Sequence, residues 1–307
     1  MTNDVKHAES TEKCSSPNTS TEPRTTRVGF IGLGAQGAGM AHRLIECGLP
    51  TTLWARRDAS LEAFRGTGAT FAATLAELGA ASDVVGICVV DDEGVQDVLL
   101  GETGVLSGMA AGSVIAIHST ISLGVCGRIA AVAEQVGVGV IDAPVSGGGF
   151  AAAKGELTVL VGGPTTLYEK ALPELNTFGG NVAHLGSLGS GLIAKLVNNT
   201  LHAAHYALAR DAIVAGTRLG VDEKALGRAL AVSSGNSFSL NMAVQAGGFD
   251  VLAPAVGSLL RKDVTIFEQL AARHEVATGS LVAIADDALE LFGCPRERQS
   301  FTVDEQE

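Results

Sequence analysis

The chain contains no run of basic residues longer than two, and its formal net charge is −12. That argues against a nucleic-acid surface, which clusters Lys and Arg on one face, and against the anionic face of a membrane. No uninterrupted apolar stretch is long enough to cross a bilayer. The first 26 residues are polar and lack an apolar core, so no signal peptide is predicted. Cysteine is sparse: Cys14, Cys47, Cys88, Cys126 and Cys294 are widely spaced and form no C-x-x-C. A disulfide framework or zinc site is therefore not expected, and the pattern fits free thiols in a reducing, cytoplasmic setting. No His and carboxylate cluster has metal-ligand spacing. His202 and His205, three apart, read as packing residues, and no metal is expected.

Glycine, by contrast, is abundant, at 39 of 307 residues. That is well above an average near 7%, and it fits many tight turns and close backbone–ligand approaches. The most informative cluster is Gly32-Leu33-Gly34-Ala35-Gln36-Gly37. It follows the apolar run Val28–Ile31 and precedes a helix-compatible stretch from Ala38 to Cys47. In such a setting the first glycine permits the turn, the second admits a pyrophosphate, and the third lets helix and strand pack closely. The helix N-terminus then offers free N–H groups and a positive dipole end. Dinucleotide binding is predicted.

Apolar, β-branched segments recur at Val28–Ile31, Thr51–Trp54, Val84–Val90, Val114–Ile117, Val138–Ile141 and Leu157–Val161, separated by helix-compatible stretches. This alternation predicts an α/β fold whose N-terminal half is a Rossmann doubly wound parallel sheet. Glycine pairs at Gly162-Gly163 and Gly179-Gly180 punctuate the end of that half. Beyond Gly189-Ser190-Gly191 the character changes. As far as Arg218 there is no proline and one glycine, Gly216. A helix of about 28 residues, about 42 Å long, is predicted. Its apolar residues go nearly all round, so it should be a buried central helix. Helices are also expected at about 222–232, 254–274 and 277–292. The expected organisation is a disordered tail over 1–26, a dinucleotide-binding domain over 27–188, an all-α domain built on the long helix over 189–295, and a polar tail over 296–307. So much apolar helix predicts a homodimer or homotetramer.

Four segments carry chemistry. At the tip of the second strand, where NAD-binding units place an acid, stand Arg56 and Arg57. They suit a 2′-phosphate and favour NADP over NAD; read alone, they are also two solvated arginines opening a helix. Asp142-Ala143-Pro144-Val145-Ser146-Gly147-Gly148-Gly149 follows an apolar strand. It reads equally as an anion-binding nest for a substrate carboxylate or as a hinge. Lys195 lies in the first turns of the long helix with Asn199 one turn later on the same face. Desolvation would lower its pKa toward the range of a general acid–base, although a snorkelling lysine has the same pattern. Lys262-Asp263, read alone, is an ordinary surface ion pair.

In their order and spacing, the glycine loop, D-A-P-V-S-G-G, G-x-x-x-K-x-x-N-N and K-D resemble the β-hydroxyacid dehydrogenases over about residues 27–295. That family includes 3-hydroxyisobutyrate dehydrogenase, tartronate semialdehyde reductase and the glyoxylate and succinic semialdehyde reductases, and it is related to 6-phosphogluconate dehydrogenase. The resemblance implies NADP-dependent interconversion of a small hydroxy acid and its semialdehyde or oxo form. It implies that Lys195 is the catalytic acid–base, that Asn199 holds the substrate, and that Ser146, Gly147 and Gly148 bind its carboxylate. It places Ser119 and Thr120 near substrate and nicotinamide, Val89 and Val90 along the cofactor, and Lys262 near the nicotinamide. Arg56 matches the arginine of NADP-using members. Three departures stand out: Gln36 replaces a methionine, Val90-Asp91-Asp92 replaces a Leu-Pro start, and Ala255-Val256 lies where many members have phenylalanine. Imine reductases share the fold but usually lack a lysine at the position of Lys195. An inactive nucleotide-binding scaffold would have lost Lys195 and Asn199, which are present.

Overall fold

The central strands of a parallel sheet are covered on both faces, and the sequence meets that demand with unbroken apolar tetrads. In the computed structural model, which describes residues 25–297, Val28–Ile31 (β1), Val84–Ile87 (β4) and Val114–Ile117 (β5) are buried at every position. Thr51–Trp54 (β2) and Gly139–Asp142 (β6) flank them, and the short Thr70–Phe71 (β3) closes one edge. The strand order is β3-β2-β1-β4-β5-β6, all parallel. This is the dinucleotide-binding order. Gly37–Glu46 (α1), Leu75–Ala80 (α2), Asp92–Leu99 (α3) and Leu123–Gln135 (α4) connect the strands. One face packs Phe30, Met40, Leu44 and Leu53, and the other packs Ile87, Val95, Ile115 and Ile129.

Leu157–Val161 is a strand, as the sequence predicts, but it does not extend this sheet. It is β8, the centre of a second, three-stranded sheet with Val145–Ser146 (β7) antiparallel and Gly179–His184 (β9) parallel to it. Its burial alternates along the strand, as in a sheet covered on one face. The segment at Gly179-Gly180, expected to be mere punctuation, is the start of β9. Gly148–Lys154 (α5) and Thr165–Phe178 (α6) complete this part.

The long helix spans Ser190–Arg218 (α7), close to the predicted limits. The chain divides within it into two compact units, 1–192 and 193–307. The start of α7 is held in the first unit by Asp142, at the end of β6. Its buried carboxylate accepts from the N–H groups of Gly189 (2.6 Å) and Leu192 (2.7 Å). Burial pushes this acid above the usual carboxylate range, and the backbone donors pull it back.

In the second unit α7 runs with Glu223–Leu230 (α8), Phe238–Ala246 (α9), Phe249–Arg273 (α10) and Leu281–Leu291 (α11). Three readings need correction. Pro254, which invites a helix start, lies inside α10, which begins after Gly248; α9 was not anticipated. Nor is α7 buried all round. Ala203, Ala204, Tyr206 and Ala207 enter the core, while Ile193, Val197, Leu201 and Leu208 are 40–51% exposed. At steps of four, four and seven they form one apolar stripe. The expected tails, over 1–26 and 296–307, lie almost wholly outside the described residues.

Candidate active site

The turn from β1 into α1 is built so that a side chain fits at only one of its three glycines. Gly32 has φ +98°, and a Cβ there would lie 2.1 Å from the Cys88 carbonyl oxygen. A Cβ on Gly37 would lie 1.9 Å from the Gly32 oxygen. At Gly34 nothing stands within 4 Å, so backbone faces open space. α1 has no side-chain cap at Gln36 and no acid in its first turn. Free donors at a positive helix end, beside open space at Gly34, fit a dinucleotide pyrophosphate. Leu33, Ala35 and Gln36 lie on this turn, so Gln36, in place of methionine, leaves the backbone cradle intact.

The other predicted cofactor positions follow the C-terminal ends of the parallel strands, where such ligands bind. Arg56, two residues past β2, has a 71% exposed side chain and pairs loosely with Asp97 at 3.5 Å; Arg57 is exposed beside it. Val89 and Val90 follow β4, and Val90 is exposed. Ser119 and Thr120 follow β5. The Val89 N–H donates to the Ser119 hydroxyl at 2.8 Å, and Ser119 is buried. Its hydroxyl thus ties the two loops together. Asp91 caps α3 through the Gly94 N–H, and Asp92 accepts from the Ser122 N–H and hydroxyl at 2.9 and 2.6 Å. The Val90-Asp91-Asp92 departure therefore has a structural purpose: it locks α3 to the start of α4. The Cys88 thiol is pushed up to about 12 by burial and is no nucleophile.

Ser146 ends β7, Gly147 precedes α5 and Gly148 begins it. Gly147 and Gly148 have φ of +131° and +74°, and a Cβ at Gly148 would meet nothing. Gly149 serves differently: a Cβ there would lie 2.5 Å from the Ala35 oxygen. The structure thus brings this segment against the β1–α1 glycine loop, because α1 packs on α5.

The second unit gathers Lys195, Asn199, Lys262 and Asp263. Lys195 is half-buried on α7. Burial lowers its pKa, the charge of Asp263 opposes that shift, and Lys262 adds to it. Asn199, one turn on, donates from Nδ2 to Asp263 Oδ2 at 2.6 Å. Asp263 is only 3% exposed, so the surface-pair reading of Lys262-Asp263 is wrong. Lys262 Nζ lies 3.7 Å from its other oxygen, an ion pair too long for a hydrogen bond. Burial raises the Asp263 pKa, opposed by Lys262, the Asn199 amide and Lys195. The sequence carried a usable signal: Leu260, Asp263, Val264 and Phe267 share helical spacing, which puts an acid on an apolar stripe. Nothing comparable announced Ser239, whose hydroxyl meets His202 on α7. A charge-tuned amine beside a fixed amide and carboxylate can exchange a proton with a bound alcohol or carbonyl oxygen. Among the described residues no group of His, Cys, Asp and Glu could hold a metal ion.

Residues 27–212 match the family described as the NAD binding domain of 6-phosphogluconate dehydrogenase. Residues 189–292 match the NAD-binding family of NADP-dependent 3-hydroxyisobutyrate dehydrogenase. The chain is 33% identical to 2-(hydroxymethyl)glutarate dehydrogenase of Eubacterium barkeri, over 74% of this chain and 78% of that protein. It is 35% identical to L-threonate dehydrogenase of Cupriavidus necator, over 69% and 71%. A Mycobacterium tuberculosis 3-hydroxyisobutyrate dehydrogenase structure with L-serine aligns with a TM-score of 0.76 at 27% identity, covering 88% of this chain and 94% of that one. An imine reductase from Pseudomonas sp. (TM-score 0.60, 22% identity, 88% and 93% covered) shares the fold. With two matches that together run from residue 27 to residue 292, and relatives above 30% identity over most of their own length, the chain belongs to the β-hydroxyacid dehydrogenase family.

Proposed function

We propose that this protein uses NADP to interconvert a small β-hydroxy acid, or a related hydroxy acid, with its semialdehyde or oxo form, and that Lys195 is the acid–base. Family membership supports an NAD(P)-dependent hydroxyacid dehydrogenase; the finer points rest on residues. Gly32–Gly37 would hold the pyrophosphate and Arg56, with Arg57, the 2′-phosphate. Val89, Val90, Thr120 and Lys262 would line the nicotinamide half. The nicotinamide supplies the hydride acceptor for oxidation and the donor for reduction. Ser146, Gly147 and Gly148 bind the substrate carboxylate through N–H and hydroxyl donors.

The observation that carries the reading is Lys195 itself: a half-buried amine with a lowered pKa, beside an Asn199 held at 2.6 Å by a buried Asp263. In oxidation its neutral Nζ takes the hydroxyl proton; in reduction its protonated Nζ returns one to the developing alkoxide. The apolar stripe of Ile193, Val197, Leu201 and Leu208 supports a homo-oligomer.

The test is a panel of hydroxy acids, glyoxylate, succinic semialdehyde and a cyclic imine, with NADPH and NADH, read by nicotinamide absorbance. Turnover of acids with a preference for NADPH is expected, and methyl esters of the same acids should react far worse. Turnover of the imine alone would overturn the reading, and equal rates for acid and ester would remove the carboxylate site.

A further inference from the structure

Asn199 is not the last polar residue on the face of α7 that carries Lys195. His202 follows at the next turn, and positions 195, 199 and 202 share one side of the helix. Its imidazole is held on several sides. It lies against Tyr206 (centroids 4.7 Å apart) and Phe238 (5.7 Å). The hydroxyl of Ser239, a fully buried residue of α9, is 2.6 Å from Nδ1 and 2.8 Å from the His202 carbonyl oxygen. A carbonyl only accepts, so the hydroxyl proton goes to it. The hydroxyl oxygen must then accept from Nδ1–H. This assigns the tautomer: Nδ1 carries the proton and Nε2 bears the lone pair.

The ring also stays neutral at ordinary pH. Burial lowers its pKa to about 4, helped by the charges of Lys195 and His205. Nε2 makes no hydrogen bond to any described residue. A rigid, neutral imidazole thus offers one unused acceptor on the face of Lys195 and Asn199. An acceptor of this kind is met by an O–H or N–H donor. A carboxylate cannot supply one, and an alkyl group would leave it unpaired.

We propose that His202 is a specificity-determining residue that accepts, at Nε2, a hydrogen bond from a hydroxyl the substrate carries beyond its carboxylate and its reacting alcohol. This inference rests on Lys195 being the acid–base. The substrate class is then a polyhydroxylated short-chain acid. Ser239 is a positioning residue, which acts by fixing the imidazole tautomer.

The test compares substrates matched at the carboxylate and the reacting carbon: 3-hydroxybutanoate against 3,4-dihydroxybutanoate, and 3-hydroxypropanoate against 2,3-dihydroxypropanoate. In the wild type the member with the additional hydroxyl should be favoured in kcat/KM, by about 10- to 100-fold in at least one pair. In His202→Leu that ratio should fall towards one. In His202→Gln, which keeps an acceptor near the place of Nε2, it should stay above the Leu value. Ser239→Ala should lower the ratio while the ¹⁵N shifts of His202 move from the Nδ1–H form towards a tautomer mixture, which a merely structural serine would not cause. Equal use of both members by the wild type, or an unchanged ratio in His202→Leu, overturns the assignment and leaves Lys195 untouched. Turnover of no hydroxy acid at all removes the reading of Lys195 and this inference together.

Discussion

The sheet unit presents its candidate site mainly as backbone, the helical unit as side chains. Around Gly32–Gly37 and Ser146–Gly149 the decisive property is the absence of a Cβ: some glycines lie against a carbonyl oxygen, while Gly34 and Gly148 lie against open space. Around Lys195 it is the presence of polar atoms in apolar surroundings: an amine, an amide and a carboxylate on α7 and α10, each shifted or fixed by the next. Backbone donors need no titration and bind an anion by direction alone. Side chains can gain and lose protons, and burial tunes where they do so. The first kind of site fails when an atom is added, the second when one is taken away.

The sharpest way to break the comparison is Lys195→Ala. Turnover should drop about 10²- to 10⁴-fold, while NADPH binding followed by fluorescence changes little. Lys195→Arg should not recover the rate, because a guanidinium keeps its proton. Near wild-type turnover in the alanine variant would strip the helical unit of its chemical role.

Arg56→Ala probes one of the two charged side chains, Arg56 and Arg57, that the sheet unit is expected to add to its backbone cradle. Removing a contact to a 2′-phosphate should raise the KM for NADPH about 10- to 150-fold and hardly alter that for NADH. The pair with Asp97 is exposed and long, so its loss should leave thermal stability nearly unchanged. A parallel rise for both cofactors would refute the assignment.

Within the glycine loop, Gly37→Ala and Gly34→Ala should separate. The first forces a Cβ onto the Gly32 carbonyl oxygen and should destabilise by about 1–3 kcal/mol, read as a lower Tm. The second meets no protein atom, so Tm should hold while dinucleotide affinity falls. The same result for both would mean the loop is only a turn.

The smallest effect concerns pH. The negative charge of Asp263 favours the protonated form of Lys195 and raises its pKa. Asp263→Asn removes that charge, so the Lys195 pKa falls. Oxidation needs the neutral amine, so its rising limb of kcat against pH should move to lower pH. A limb that stays put, or moves up, would show that another group controls it.

Much of this was legible in the chain. Val28–Ile31 and Val114–Ile117 are strands at the residues their apolar runs mark, because a strand covered on both faces needs no partner to declare itself. The errors came where an element's meaning depends on what lies opposite. Leu157–Val161 looks like a sixth parallel strand, and only its pairing with β7 and β9 assigns it elsewhere. β9 begins at the Gly179-Gly180 pair. A Cβ on Gly180 would lie 3.0 Å from the Glu156 Cα, which is a reason for glycine in a strand. α9 lies in a stretch whose Ser and Gly punctuation reads as loop.

The same boundary runs through the site. The glycine loop and the Lys195–Asn199 spacing are local patterns, complete within eleven residues, so the sequence by itself determined them. Local backbone sterics and helical pitch leave those residues little choice of arrangement. The bond from Asn199 to Asp263 spans 64 residues and that from His202 to Ser239 spans 37. Neither exists until α10 and α9 are packed against α7. Tertiary structure alone decided that Asp263 is buried rather than solvated and that His202 Nε2 bonds to no described residue, because desolvation and hydrogen-bond direction are properties of the packed fold.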